Sequence, residues 1–140
     1  MDTQLSLIEK RNIMGTITYF QIKKMTPQLL VTDIDRSIEF YTKKLGFKLD
    51  FRYEDFYSGI IQDGYSIHLK SGNPSIEERK NRRDNEDLDI IFSVDNIEDL
   101  YEELSNKFVE FIQPLRDMPY GKEFYVTDPD GYIIAFLEEA

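Results

Sequence analysis

The chain has 140 residues, of which 41% are hydrophobic and 14% aromatic, and its formal net charge at pH 7 is −10. This length supports one domain with a hydrophobic core, and this composition excludes an intrinsically disordered chain. The absence of cysteine excludes disulfides, thiolate catalysis and cysteine-ligated zinc. The negative charge argues against nucleic-acid binding, which needs a basic face to neutralise phosphates.

The N-terminal region, residues 1–24, lies outside the repeating pattern of the rest of the chain, and we treat it as an extension. Its beginning lacks the apolar stretch of a signal peptide, although residues 16–22 alternate like a strand. No apolar run in the chain approaches the roughly 18 residues that a membrane-spanning helix needs. We therefore expect a cytoplasmic protein without a membrane partner.

Two helices are predicted by apolar residues at helical spacing. The first lies within residues 32–47, where Asp33 is a good N-cap. The second lies within residues 95–108 and repeats the apolar positions of the first, from Ile34 to Ile97, at an offset of 63 residues. The offset indicates an internal duplication.

Each helix is preceded by one strand-like segment and followed by three, which predicts two βαβββ modules. The predicted strands are 27–32, 47–53, 56–62 and 65–70 in the first module and 88–94, 108–115, 122–127 and 132–138 in the second. We assign residues 25–140 to one domain, made of module one (25–72), a linker (73–86) and module two (87–140). The linker is polar and densely charged, so we expect it to be a solvated connector.

Alternation within the strands separates two faces of the sheet. One face is wholly apolar, so it should lie beneath the helices; it comprises Leu29, Val31, Ile67, Leu69, Ile90, Phe92, Val94, Ile134 and Phe136. The other face is mixed and comprises Thr26, Gln28, Leu30, Ser66, His68, Lys70, Asp89, Ile91, Ser93, Ile133, Ala135 and Leu137. A mixed face is either the solvated side of an open sheet or, if the sheet curls, the lining of a ligand pocket.

Three segments carry a family resemblance. They are "LLVTDIDRSIEFYTKKLGFKL" (29–49), "SVDNIEDLYEEL" (93–104) and "FYVTDPDGYIIAFLE" (124–138). They resemble the vicinal oxygen chelate superfamily, which includes glyoxalase I, extradiol dioxygenases and the fosfomycin- and bleomycin-resistance proteins. The resemblance covers the whole duplicated region, from about residue 25 onward. It implies an α+β fold in which two βαβββ modules form a cupped mixed sheet with the helices on its outer face, assembled as a homodimer.

The resemblance also implies where a metal site would lie. In metal-dependent members, four strands each send one ligand into the cup, and the matching positions here are Thr26, His68, Asp89 and Ala135. Ala135 has no donor atom and a Thr hydroxyl is a weak ligand, so a divalent metal would stay mostly hydrated. We therefore expect no metal and no other cofactor. His68 is the remaining catalytic candidate, either paired with Asp89 as a general base or simply hydrogen-bonded to a neighbour in the cup.

The missing ligands favour a similarity to the metal-independent bleomycin-resistance branch, whose members act in antibiotic resistance by binding. We expect such binding, rather than catalysis, of a small cationic or aromatic molecule in a cup at a dimer interface. The candidate ligand-binding residues are Gln28, Ser66, His68, Asp89, Ser93, Tyr120, Phe124 and Ala135. The alternatives are a metal-dependent lyase or dioxygenase with an atypical site, a metal-free isomerase that uses His68, and an interaction domain whose sheet serves only dimerisation.

Overall fold

The computed structural model describes residues 19–140, and in them the two predicted modules are confirmed. The strands are β1 (Gln28–Val31), β2 (Lys48–Tyr53), β3 (Tyr57–Gln62), β4 (Tyr65–Ser71), β5 (Ile90–Ser93), β6 (Glu110–Met118), β7 (Gly121–Thr127) and β8 (Ile133–Glu139). The helices are α1 (Ile34–Glu39), which continues as a π-helical turn (Phe40–Lys44), α2 (Ile76–Asp84) and α3 (Ile97–Asn106).

Each module folds into its own four-stranded mixed sheet. The strand orders are β1-β4-β3-β2 and β5-β8-β7-β6. The first strand of each module pairs in parallel with the last, and the other pairs are antiparallel. The α+β class is therefore confirmed, with two sheets in place of one continuous sheet.

The helices form where the sequence pattern predicts them. The Asp33 side chain caps α1 by accepting a hydrogen bond from the Arg36 N–H at 3.1 Å. Both α1 and α3 lie on the apolar face of the sheets, where Tyr41, Ile97 and Leu104 are fully buried. The predicted apolar face is confirmed, since all of its members belong to one core or pack against it.

The segment between the modules differs from the expected solvated connector. It contains α2, which begins after Ser75, whose side chain accepts a hydrogen bond from the Glu78 N–H at 3.1 Å. Arg79 on this helix is largely buried and places its guanidinium 4.3 Å from the centre of the Tyr132 ring. The high charge density was misleading because some of these charges are partners for groups in module two.

The predicted strand at 16–22 falls partly outside the described residues, and its described part, 19–22, has no regular structure. None of the helices within residues 19–140 is long and apolar enough to cross a membrane.

One side chain of module two closes the free edge of module one. The Leu30 N–H donates to the Tyr132 hydroxyl at 3.1 Å, and that hydroxyl donates to the Leu30 carbonyl at 2.8 Å. Along a strand, the backbone groups of successive residues point to opposite sides. The carbonyls of Pro27 and Val31 accept hydrogen bonds from the β4 side, so the backbone groups of Leu30 point away from β4. Tyr132 thus takes the place that another strand would occupy in a continuous sheet.

Two aspartates of the β7–β8 turn extend this contact to α1. The buried Asp128 carboxylate accepts a hydrogen bond from the Tyr41 hydroxyl at 2.7 Å. Asp130 accepts from the Thr32 N–H at 3.1 Å and from the Thr32 hydroxyl at 2.8 Å, and it also accepts from Ser37. The Asp-Pro-Asp-Gly turn therefore joins the two modules.

Candidate functional site

The face of module one opposite α1 is the accessible part of the cup, and we call it the module-one cup face. Strand register brings its residues together, because His68 lies beside Gln28 on β1 and beside Gly59 on β3. Its members are Gln28, Leu30, Lys48, Phe51, Tyr53, Tyr57, Gly59, Ile61, Ser66, His68 and Lys70. Most of them are exposed or half-buried.

A short hydrogen-bond chain crosses this face. The Gln28 side-chain amide donates to the Tyr57 hydroxyl at 3.0 Å, and that hydroxyl lies 2.9 Å from His68 Nδ1. If the hydroxyl donates to Nδ1, the neutral imidazole carries its proton on Nε2. The chain therefore fixes the orientation of the imidazole. The hypothesised His68–Asp89 pair is not found, since Tyr57 is the hydrogen-bond partner of His68.

Aromatic rings surround the imidazole. Phe51 lies over Gly59, and a methyl group at Gly59 would overlap its ring. The Phe51 ring centroid is 5.2 Å from that of His68 and 6.1 Å from that of Tyr57, edge-on to the first and stacked with the second. Tyr53 and Phe56, 59% and 57% exposed, stack at 6.4 Å. These four aromatic side chains, which we call the aromatic platform (Phe51, Tyr53, Phe56 and Tyr57), present ring faces and edges to a ligand.

Asp89 is not available as a ligand in module two. Its carboxylate pairs with Arg79 at 2.8 Å and with Arg82 at 3.0 Å, and it accepts a hydrogen bond from the Ile133 N–H at 2.8 Å. Both arginines come from α2, the helix that the sequence pattern did not predict. Asp89 therefore holds the helix on the sheet, which corrects its expected role in ligand binding.

The last strand of the sheet is covered rather than open. Ala135 is 3% exposed and packs in a small apolar cluster with Tyr125 and Ile133. Leu88 and Ile112 pack against this cluster. Ala135 and Ile133 were expected to line an open mixed face, but neighbouring apolar side chains fill the cup at this point.

Glu123 is a feature of this face that the sequence analysis missed. It is 5% exposed and accepts hydrogen bonds from Arg116 at 2.8 Å, from Tyr120 at 2.6 Å and from Tyr125 at 3.0 Å. Burial alone would raise the pKa of Glu123, but these hydrogen bonds lower it overall. The hydrogen bond to Glu123 raises the pKa of Tyr120 to about 12. Glu123 and the apolar Phe124 are consecutive in β7, so strand alternation places their side chains on opposite faces of the sheet. This alternation was the sequence signal that could have placed Glu123 on the cup side.

The other candidates have different positions. Phe124 is fully buried in the core, with its ring stacked 5.0 Å from Phe136, so it lies on the helix side and not in the cup. Ser66 is buried, and its hydroxyl has no hydrogen-bond partner among the described residues. Ser93 is exposed at the free edge of β5, and Thr26 is half-buried before β1.

The donor set does not fit the metal that the fold family implies. Of the four matching positions, Ala135 has no donor, Asp89 is held by two arginines and Thr26 is neutral. Within residues 19–140, no group of three or more His, Cys, Asp or Glu side chains is arranged to hold a metal ion. His68 alone would bind a divalent cation weakly.

Known structures with the same fold include proteins that bind antibiotics. UcmS2 is 23% identical, with a TM-score of 0.68 over 86% of this chain and 100% of that one. TnmS3, an antibiotic binding protein from Streptomyces sp. CB03234, is 16% identical, with a TM-score of 0.69 over 88% and 100%. The bleomycin-binding protein of Streptomyces verticillus, solved with copper(II)-bleomycin, is 20% identical, with a TM-score of 0.67 over 87% and 100%. No curated protein matched the chain.

The family itself follows from the sequence. Residues 21–136 match the model of the "Glyoxalase/Bleomycin resistance protein/Dioxygenase superfamily", which covers both modules. The resemblance carried by the helix-opening Asp33 segment and by the Asp-Pro-Asp-Gly turn is thereby confirmed. The chain belongs to the glyoxalase/bleomycin resistance protein/dioxygenase superfamily.

Proposed function

We propose that the protein binds a small planar aromatic molecule on the module-one cup face, without a metal, in a cup completed by a second copy of the chain. The observation that carries this proposal is the aromatic platform beside an oriented His68. Stacked and edge-on contacts with aromatic side chains favour planar rings, and a few polar groups fix their orientation.

The donor set supports binding without a metal. Metal-dependent chemistry in this fold needs several ligands that converge, whereas here Ala135 is apolar and Asp89 is already paired. The resemblance to antibiotic-binding structures supports the same class of function, although those likenesses are of fold alone.

Exposed apolar side chains support the dimer. Leu30 and Ile91 are each more than one-third exposed, in addition to Tyr53 and Phe56 of the aromatic platform. A folded protein seldom leaves such a surface uncovered, and a second copy would both cover it and enclose a ligand.

A second candidate function is a metal-free isomerase. The contact between Tyr57 and His68 favours it in the tautomer that carries the proton on Nδ1, because the Tyr57 hydroxyl then accepts that proton and holds an unprotonated Nε2 in one orientation, as a general base requires. It predicts that a bound ligand would be converted, whereas the binding protein would release it unchanged.

The proposal is tested with 2-naphthalenemethanol, a neutral and fluorescent planar probe, titrated into full-length protein treated with EDTA. We expect saturable binding at one site per subunit, weakened at least about tenfold by Tyr53→Ala together with Phe56→Ala, because stacking on these rings is lost. The control is Tyr65→Ala, an exposed tyrosine outside the platform, which should change the affinity by less than about twofold.

Three results would contradict the proposal. They are the absence of saturable binding, binding that appears only after a divalent metal is added, and equal weakening by the platform double variant and by Tyr65→Ala.

A further inference from the structure

We infer, resting on the proposed function, that the ligand carries an anionic or strongly hydrogen-bond-accepting group beside its ring rather than a positive charge. The overall charge of −10 suggests the opposite, a cationic ligand. The charges and donors that face the cup decide between these two classes.

The two largely buried carboxylates on the corresponding face of module two, Asp89 and Glu123, are already neutralised. Asp89 pairs with two arginines, and Glu123 pairs with Arg116 at 2.6 Å. Glu110, at the outer end of β6, pairs with Arg83. A cationic ligand that approached Asp89 or Glu123 would therefore have to displace an arginine from a carboxylate that has further hydrogen bonds of its own. A buried carboxylate satisfied in this way has little affinity left for a second cation.

The groups left on the module-one cup face are donors and cations. Lys70 lies beside Tyr57 in the strand register, and Lys48 lies beside Ile61. Neither lysine makes an ion pair with any residue in the described range 19–140. Together with the Gln28 amide and the His68 imidazole, they form an array that suits acceptor oxygens.

Most of the acidic residues responsible for the net charge lie elsewhere, although Glu54 and Asp55 are in the turn between Tyr53 and Phe56. Many are on the solvent side of α1 and α3, for example Glu39, Glu98, Asp99 and Glu103. In the turn after β2, Asp55 pairs with Arg52. At physiological ionic strength exposed charges are screened over about 8 Å, so a ligand on the platform senses Lys70 more strongly than the opposite surface.

The test uses three probes with the same ring: 2-naphthoate (anionic), 2-naphthalenemethanol (neutral) and 2-naphthylmethylammonium (cationic). Each is titrated into the full-length protein at a salt concentration of about 0.05 M, where pairs of exposed charges are weakly screened. We expect 2-naphthoate to bind at least about tenfold more tightly than the ammonium probe. Lys70→Gln should reduce this ratio to about threefold or less and leave the affinity of the neutral probe within about twofold.

The matched control is Lys43→Gln, which makes the same change in net charge on the helix side of the sheet. It should leave the ratio of the two charged probes unchanged. A ratio that falls equally in both variants, or a cation that binds more tightly than the anion, overturns this inference. In either case continued binding of 2-naphthalenemethanol leaves the proposed function intact. If none of the probes binds, both conclusions are overturned.

Discussion

The β3–β4 turn and the β7–β8 turn occupy corresponding places in the two modules, but only the second one joins the modules. Tyr132, which follows the second turn, is 7% exposed and bonded to β1, whereas Tyr65, which follows the first, is 74% exposed. Both tyrosines come directly after a glycine with positive φ, so the local sequence alone does not explain the difference.

Turn length explains it better. In module one Gln62 pairs with Tyr65, which leaves two residues with positive φ, Asp63 and Gly64, as a tight hairpin turn. In module two the last pair is Thr127 with Ile133, so the turn has more residues and can fold on itself. There the Asp128 carboxylate accepts the N–H groups of Asp130 and Tyr132, both at 2.9 Å, which holds the turn in shape.

The shorter turn leaves its half of the module boundary open. A cavity of about 240 Å³ lies beside Tyr65 and is mostly apolar; it is lined by Leu45, Phe47, Gln62, Asp63, Tyr65, Phe92, Ser93, Val94, Leu100 and Phe136. The two modules have the same strand order, yet the boundary between them is closed at the β7–β8 turn and open at the β3–β4 turn. The difference arises because the side chain of Tyr132 reaches the other module and that of Tyr65 does not.

The largest expected effect is the difference in unfolding free energy between variants of the two tyrosines. Tyr132→Ala should lower the free energy of unfolding by about 3–5 kcal/mol, since a buried ring and its hydroxyl bonds to Leu30 are lost. Tyr65→Ala should change it by less than about 0.5 kcal/mol, as expected for an exposed side chain. Urea denaturation of both variants checks this, and similar losses would mean that the two halves of the boundary are equally closed.

The second prediction concerns the buried carboxyl of the longer turn. Burial raises the pKa of Asp128 from its ordinary value of 3.8 to about 6, although hydrogen bonds from Tyr41 and the turn oppose the rise. The folded state therefore holds this proton more tightly than the unfolded state. The stability that this group contributes is fully present below about pH 3.8 and is lost as the pH rises through about 6, by up to about 3 kcal/mol.

Asp128→Asn should remove that pH dependence, because an amide can keep the acceptor bonds of the turn without titrating. The measurement is the free energy of unfolding of the parent and the variant between pH 4 and pH 8. The parent should lose stability relative to the variant across this range. A constant difference between them would show that Asp128 does not titrate there.

The smallest expected effect is the difference in stability between variants of the two aspartates that precede the turn glycines. Asp130→Ala should cost about 1–3 kcal/mol, because Asp130 accepts hydrogen bonds from Thr32 and Ser37 across the module boundary. The matched change Asp63→Ala removes an exposed side chain at a position of positive φ, which Ala tolerates less well than Asp, and should cost about 1 kcal/mol or less. Thermal melts of the two variants would contradict the comparison if Asp63→Ala were the more damaging.

Much of the fold could be predicted from the sequence, because it rests on periodicity. Helical spacing located α1 and α3, and strand alternation separated the apolar face from the mixed face. The helix α2 was missed because its charged residues resemble a solvated connector until their partner, Asp89, is placed beside them. An ion pair between segments has no periodic signal.

The candidate site was predicted less well, for a related reason. Alternation placed His68 in the cup, but it could not show that the imidazole is bonded to Tyr57 on the neighbouring strand. Phe124 was misassigned to the cup because an aromatic residue near a turn suits either face. Glu123 was overlooked because its charge partner, Arg116, is brought beside it only by the pairing of β6 with β7, whereas Tyr120 and Tyr125 are near it in sequence.

The contact between Leu30 and Tyr132 also bears on the order of folding. These residues are 102 positions apart, so their contact closes a long loop. The entropy lost on closing this loop is offset only by contacts that form once much of module two has folded. Until then, the edge of β1 exposes backbone groups that another strand can pair with. The time at which Tyr132 bonds to Leu30 therefore sets how long the edge of β1 can form intermolecular strand pairs.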